Sequence, residues 1–144
     1  MSLFLRQYLF GENTLDQEGY MTELGLHILM EFKDCSPAEL NNLKLLESEM
    51  NHAATIAGAT IIKSVFHQFS PQGVTGVVVV AESHLAMHTW PEHNFAAVDF
   101  FTCNHSMDYL KAYAHLAKIL SSKTHSYVTV RRGLIDKEIP VHEV

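Results

Sequence analysis

Four consecutive valines at residues 77–80 commit the middle of this 144-residue chain to a strand, because β-branched side chains are stiff and fit a pleated, buried surface. The strand does not run on. After Ala81 come three polar residues, Glu82-Ser83-His84, and then Leu85, Met87 and Thr89 resume an extended alternation. A polar break inside a core segment marks an antiparallel turn, and one this polar calls for a chemical reason. The same stretch, residues 77–103, carries His84, His88, Glu92, His93, Asp99 and Cys103 beside Ser83. One segment thus holds a nucleophile, bases, acids and a thiol, and the chemistry of the chain is to be sought there.

The flanking residues read as scaffold. Residues 24–32, LGLHILMEF, form an apolar strand whose His27 and Glu31 are candidate site residues, although a lone polar group in such a strand is more often structural. Ser36-Pro37-Ala38-Glu39 predicts a helix start, with Ser36 capping, Pro37 in the first position and Glu39 closing a capping box. Leu40, Leu43, Leu46, Met50, Ala53 and Ala57 then recur at helical spacing, and Gly58 stands where a left-handed cap belongs. A strand is expected over residues 59–69, ending in the turn Ser70-Pro71-Gln72-Gly73. Residues 96–102 are a further strand carrying Asp99. Asn104 or Ser106 is placed to cap a second helix with Met107, Leu110, Tyr113, Ala117 and Leu120 on its apolar stripe, and residues 126–131 are the last strand.

The order β-α-β-β-β-β-α-β describes an α+β domain: a two-layer sandwich of a mainly antiparallel sheet with helices on one face. Its strands are apolar on more than one parity, so both faces should be buried, and dimerisation is expected, sheet to sheet or edge to edge.

This domain is assigned to residues 22–144, behind a short extension, residues 1–21, to which no chemistry is assigned. The extension has an arginine within its apolar part and no small-residue cleavage site, unlike a signal peptide. No apolar run reaches the length of a membrane span. The net charge of -6, with only ten Lys and Arg, excludes a nucleic-acid surface and leaves a small ligand. Two cysteines make no disulfide framework, in keeping with a cytoplasmic, reduced protein.

The string ESHLAMHTWPEHNFAAVDFFTC, residues 82–103, closely resembles the core of the prokaryotic S-adenosylmethionine decarboxylase proenzymes, approximately ESHxxIHTWPExxYAAxDxFTCG. FHQFSPQGVTGVVVV before it and, more weakly, GLHILMEFKDC near the N-terminus extend the resemblance over roughly residues 24–132. The resemblance implies that Ser83 attacks the carbonyl of Glu82 and that the resulting ester eliminates, cutting the chain between Glu82 and Ser83 and leaving a pyruvoyl group on the new N-terminus. By the same likeness that group is the covalent cofactor: it condenses with the amine of S-adenosylmethionine to a Schiff base and accepts the electrons released with carbon dioxide. Carried over by matching position, His88 assists processing as a base, and the Thr75 hydroxyl stabilises the cyclic oxyanion. Cys103 matches the acid that protonates the substrate carbon. Phe69 matches an aromatic that stacks on adenine and suits the sulfonium, while Glu92 matches a carboxylate that accepts from the ribose hydroxyls. The family likeness further implies that no metal is needed, that the protomers pair into an α/β/β/α dimer with sites near the interface, and that the product serves spermidine synthesis.

Taken singly, each of these residues has a structural reading: Ser83 and Thr75 as turn residues, Cys103 and Phe69 as core, His88 as a satisfied histidine, Glu92 as a cap. Their joint pattern carries the assignment. The chain departs from the family pattern at Thr75, where serine is usual, and at Leu26, Ala86, Met87, Asn94, Phe95 and Asn104. These changes touch the pocket more than the processing residues, which leaves open a family member acting on ornithine or arginine. Two further readings stand beside it. One is a non-catalytic homologue that pairs with an active partner. The other is a metal site from His84, His88, His93 and Cys103, whose spacing matches no established zinc pattern and should spread the ligands over different strand faces.

Overall fold

The polar break after the valines is a tight hairpin. β3 (Val74–Val80) returns through Ala81 and Glu82 into β4 (Ser83–Trp90), with Val80 paired to Ser83. The chain is seen in a computed structural model that describes residues 23–134. The assignments for residues 1–21 and for the polar tail beyond 134 lie outside the described residues. Before the hairpin come β1 (Glu23–Lys33), the single-turn α1 (Pro37–Leu40), α2 (Leu43–Ile56) and β2 (Ile61–Gln68); after it come β5 (Phe95–Thr102), α3 (Tyr109–Ile119) and β6 (Thr124–Leu134). The six strands form one sheet in the order β2-β3-β4-β5-β1-β6, with every neighbouring pair antiparallel.

The alternation of a pleated strand divides the sheet into two faces. Ile28, Met30, Phe32, Val78, Leu85, Met87, Val98 and Phe100 point to one side and are at most 2% exposed. There they pack with Leu46, Met50 and Ala53 of α2 and Ala112 and Leu116 of α3. Among the described residues no helix lies over the other face. Val79 is 40% exposed there, and Leu29 and Val128, paired across β1 and β6, are 37% and 39% exposed. Burial on both faces is therefore not met among the described residues: Val77 to Val80 alternate between the core and the open side, and the four-valine run reflects two apolar faces, one of them left uncovered by the described residues.

The first helix begins at Pro37 behind Ser36, as expected, but the side-chain caps are not those expected. Ser36 makes no side-chain cap, and the helix expected from there is broken at Asn41 and Asn42; the Asn42 side chain accepts instead from Leu45 N at 3.1 Å and starts α2. In the second helix neither Asn104 nor Ser106 is the cap. Asp108 is, accepting from Lys111 N at 3.2 Å. Several short side chains near a helix start can accept the same orphan amides, and which one does depends on where packing admits the first turn. At the other end of α2, Gly58 takes φ +91°, the left-handed cap expected of it.

Candidate active site

The hairpin tip puts Ser83 in an unusual state. Its φ is +149°, a conformation that side chains rarely adopt and that persists only where the surroundings impose it. Three hydrogen bonds do so. Ala81 N donates to Thr60 O at 2.8 Å, Thr60 N donates to the Glu82 carboxylate Oε2 at 3.1 Å, and Cys103 N donates to the carbonyl oxygen of Glu82 at 2.9 Å. The last contact lies on the peptide expected to break. A main-chain donor on that oxygen polarises the carbonyl and will stabilise negative charge developing there. Cys103 occupies this position because β5 ends beside the hairpin, with Thr102 in register with Ser83, and its side chain is exposed.

Other expected residues are elsewhere. His88 lies five residues along β4, roughly 17 Å from Ser83 at the rise of an antiparallel strand. It pairs with Thr75 on β3, and Thr75 Oγ1 is 3.0 Å from His88 Nδ1. Beyond them, in the 3-10 turn Pro91–His93, Glu92 Oε2 accepts from Gln72 Nε2 at 3.2 Å. Phe69, half exposed at the end of β2, stacks edge-on to His67, with Phe69 N donating to Gly73 O. The candidate site thus falls into two groups at opposite ends of the sheet: Glu82, Ser83 and Cys103 at one, Thr75, His88, Phe69 and Glu92 at the other.

Sequence reasoning missed three contributors. The imidazole within reach of Ser83 is that of its neighbour, His84 Nδ1, at 3.3 Å from Ser83 Oγ. Gln72, a turn residue by sequence, is the partner of Glu92. Trp90, exposed between His88 and Phe95 with ring centroids 6.2 and 5.6 Å away, adds an aromatic wall to the second group. Gln72 is distinguished from a turn filler only by its tertiary contact, whereas His84 and Trp90 stand next to Ser83 and His88 in the same stretch.

The metal reading meets a different geometry from the one expected. His84 and His88 share a face, both on the open side, but sit four residues apart along a strand, about 14 Å. Among the described residues no group of three His, Cys, Asp or Glu side chains is placed to hold a metal ion.

Behind His84 the open face holds a polar cluster. His27 on β1 receives the Arg132 guanidinium on Nδ1 at 3.0 Å and has Asp99 Oδ1 3.6 Å from Nε2, too far for a hydrogen bond. Burial pushes the His27 pKa down, against the pull of Asp99 and with the help of Arg132 and His84.

The sequence profile described as S-adenosylmethionine decarboxylase matches residues 26–133. The chain belongs to this family. It is 49% identical over 117 residues to the S-adenosylmethionine decarboxylase proenzyme of Thermotoga maritima, covering 81% of this chain and 90% of that protein. The proenzyme of Thermoanaerobacter pseudethanolicus is 44% identical over 121 residues, 84% of this chain and 98% of the relative. The crystal structure of the adenosylmethionine decarboxylase from Aquifex aeolicus superposes with a TM-score of 0.73 at 32% identity, over 83% of this chain and 99% of that one. The AdoMetDC-delta26 monomer of Trypanosoma brucei shares the fold alone, with a TM-score of 0.52 at 14% identity over 77% of this chain and 47% of its own. The relatives are named as proenzymes.

Proposed function

We propose that this chain is a self-processing S-adenosylmethionine decarboxylase that cuts itself between Glu82 and Ser83. The observation that carries the reading is the held hairpin: a family motif whose serine stands at φ +149° next to a carbonyl gripped by the Cys103 amide. These residues fit a pyruvoyl group generated at position 83. Such a group supplies an electron sink for the carboxylate carbon's bonding pair. The chain's own residues do the rest. Cys103, at the same end of the sheet, is the proton donor to the substrate carbon, while Phe69 and Trp90 offer flat faces to the adenine and the sulfonium. Glu92, already accepting from Gln72, presents a carboxylate to the ribose hydroxyls. The relatives' printed activity, the decarboxylation of S-adenosylmethionine, is the reaction these groups would serve, and its product suits aminopropyl donation in spermidine synthesis.

Separation of the two groups supports a shared site. If two open faces pack about 10 Å apart around a two-fold axis running across the strands, the upper end of one sheet lies over the lower end of the other. Ser83 and Cys103 of one protomer then meet Thr75, His88, Phe69 and Glu92 of the second, and the exposed apolar surface is buried. An α/β/β/α dimer is the reading that satisfies both requirements. A cytoplasmic enzyme is in keeping with the free cysteines; among the described residues no helix is long and apolar enough to cross a membrane.

Intact mass of the denatured protein tests the reading, with Ser83→Ala as control. Two fragments, one ending at Glu82 and one beginning with a pyruvoyl-capped residue 83, followed by carbon dioxide release from S-adenosylmethionine, are the expected outcome. A single chain that persists on incubation would sink it.

A further inference from the structure

Self-cleavage needs two proton transfers of different kinds: removal of the hydroxyl proton of Ser83 when its oxygen attacks, and later removal of its Cα proton when the ester eliminates. One histidine, His88, has been named for processing, and within a chain it stands roughly 17 Å from Ser83. His84 is in a different position. Its Nδ1 lies 3.3 Å from Ser83 Oγ, an orientation that accepts the hydroxyl proton when the ring carries its own hydrogen on Nε2. The ring is held by its neighbours, standing edge-on to Phe101 at 5.9 Å and to His27 at 6.5 Å. It also belongs to the same rigid hairpin as the scissile carbonyl, which the Cys103 amide already grips at 2.9 Å.

Resting on the self-processing reading, we propose that His84 is the base of the first step, the N-to-O acyl shift, and that the two histidines divide the work. As Ser83 Oγ bonds to the Glu82 carbonyl carbon, its proton passes to His84 Nδ1. The charge that develops on the carbonyl oxygen is held by Cys103 N–H. When the tetrahedral centre collapses, the bond from Glu82 carbon to Ser83 nitrogen breaks, and the imidazolium returns its proton to the departing amine. An ester and a free amine result, with no external reactant. The φ of Ser83 helps, because strain in the peptide is relieved as that bond opens. Elimination from the ester is a separate event and falls to His88.

Hydroxylamine separates the steps, since it cleaves an ester and leaves an amide intact. The expected result is that His84→Ala and the size-conserving His84→Gln accumulate uncut, hydroxylamine-resistant chain, with processing slowed about 10²–10⁴-fold as for loss of a general base. Added imidazole should restore cutting in His84→Ala, which a merely structural role of the ring would not allow. His88→Ala should instead accumulate hydroxylamine-sensitive ester. Circular dichroism and melting temperature identify the variants that are folded, and the result is read from whichever of the two His84 variants folds. Wild-type cutting with a folded His84 variant cutting equally fast, or stalling as ester, overturns the division of labour while the decarboxylase reading survives. A wild-type chain that never cuts overturns both.

Discussion

Cys35 is 4% exposed and burial pushes its thiol pKa up, whereas Cys103 stands exposed beside the hairpin. Reactivity follows thiolate character and access. A thiol reagent applied to the folded chain should modify Cys103 alone, with Cys35 reacting only after unfolding, and peptide mass mapping checks this. Cys103 also contributes twice by different atoms. Its amide grips the Glu82 carbonyl, and any residue but proline offers that amide; its side chain is the proposed acid. Cys103→Ala should therefore still be cut, as seen by intact mass, yet lose about 10²–10⁴-fold in carbon dioxide release. His27 gives a pH signature. Its folded pKa lies below the unfolded value of about 6.5, so the unfolded chain binds the extra proton first. Its contribution to stability is whole above that value and is lost as pH falls through the window beneath it. Denaturant melts at about pH 7.5 and about pH 5.5 should show a smaller acid loss in His27→Gln than in the wild type.

At the scale of elements, one threonine ties the site's strands to the helical layer. Thr89 Oγ1 donates to Leu40 O and accepts from Val74 N, each at 2.8 Å, and the residue is 6% exposed. Thr89→Val leaves both backbone groups without that partner and should cost about 1–3 kcal/mol in chemical denaturation. Losing the Asn42 cap in Asn42→Ala should cost about 1 kcal/mol by the same measurement, because only one orphan amide of α2 is affected. The register of β4 was legible from its alternation, since Leu85, Met87 and Thr89 all face the core. The cap residues were not, because Ser36, Asn42, Ser106 and Asp108 are locally equivalent acceptors and the choice among them rests on packing elsewhere.

For the whole molecule, the open face and the divided site make one prediction from two sides. Leu29→Glu places charge on the uncovered apolar surface and should turn a dimer into a monomer by sedimentation; Leu110→Glu, exposed on the helical side, should not. Mixing unfolded Ser83→Ala and His88→Ala chains and refolding them should yield heterodimers in which the His88→Ala chain is cut, although neither variant is cut alone. Failure of that complementation would place Ser83 and His88 function within one protomer.

The chain's alternating apolar residues, its polar break and the run from Glu82 to Cys103 sufficed for the α+β class, the hairpin and the family, because these depend on local spacing and on residue identity. Where the site residues stand was another matter. Residues 83, 88 and 92 are near neighbours in sequence, but an extended strand carries each step some 3.4 Å onward, so they are drawn apart rather than together. The same extension leaves His84 as the imidazole beside Ser83, and the return of β5 brings the Cys103 amide onto a carbonyl 21 residues earlier in the chain (103 less 82). The His84 contact is between sequence neighbours, whereas the Cys103 contact arises from strand pairing across the sheet, which no local pattern specifies, and tertiary structure alone decided it.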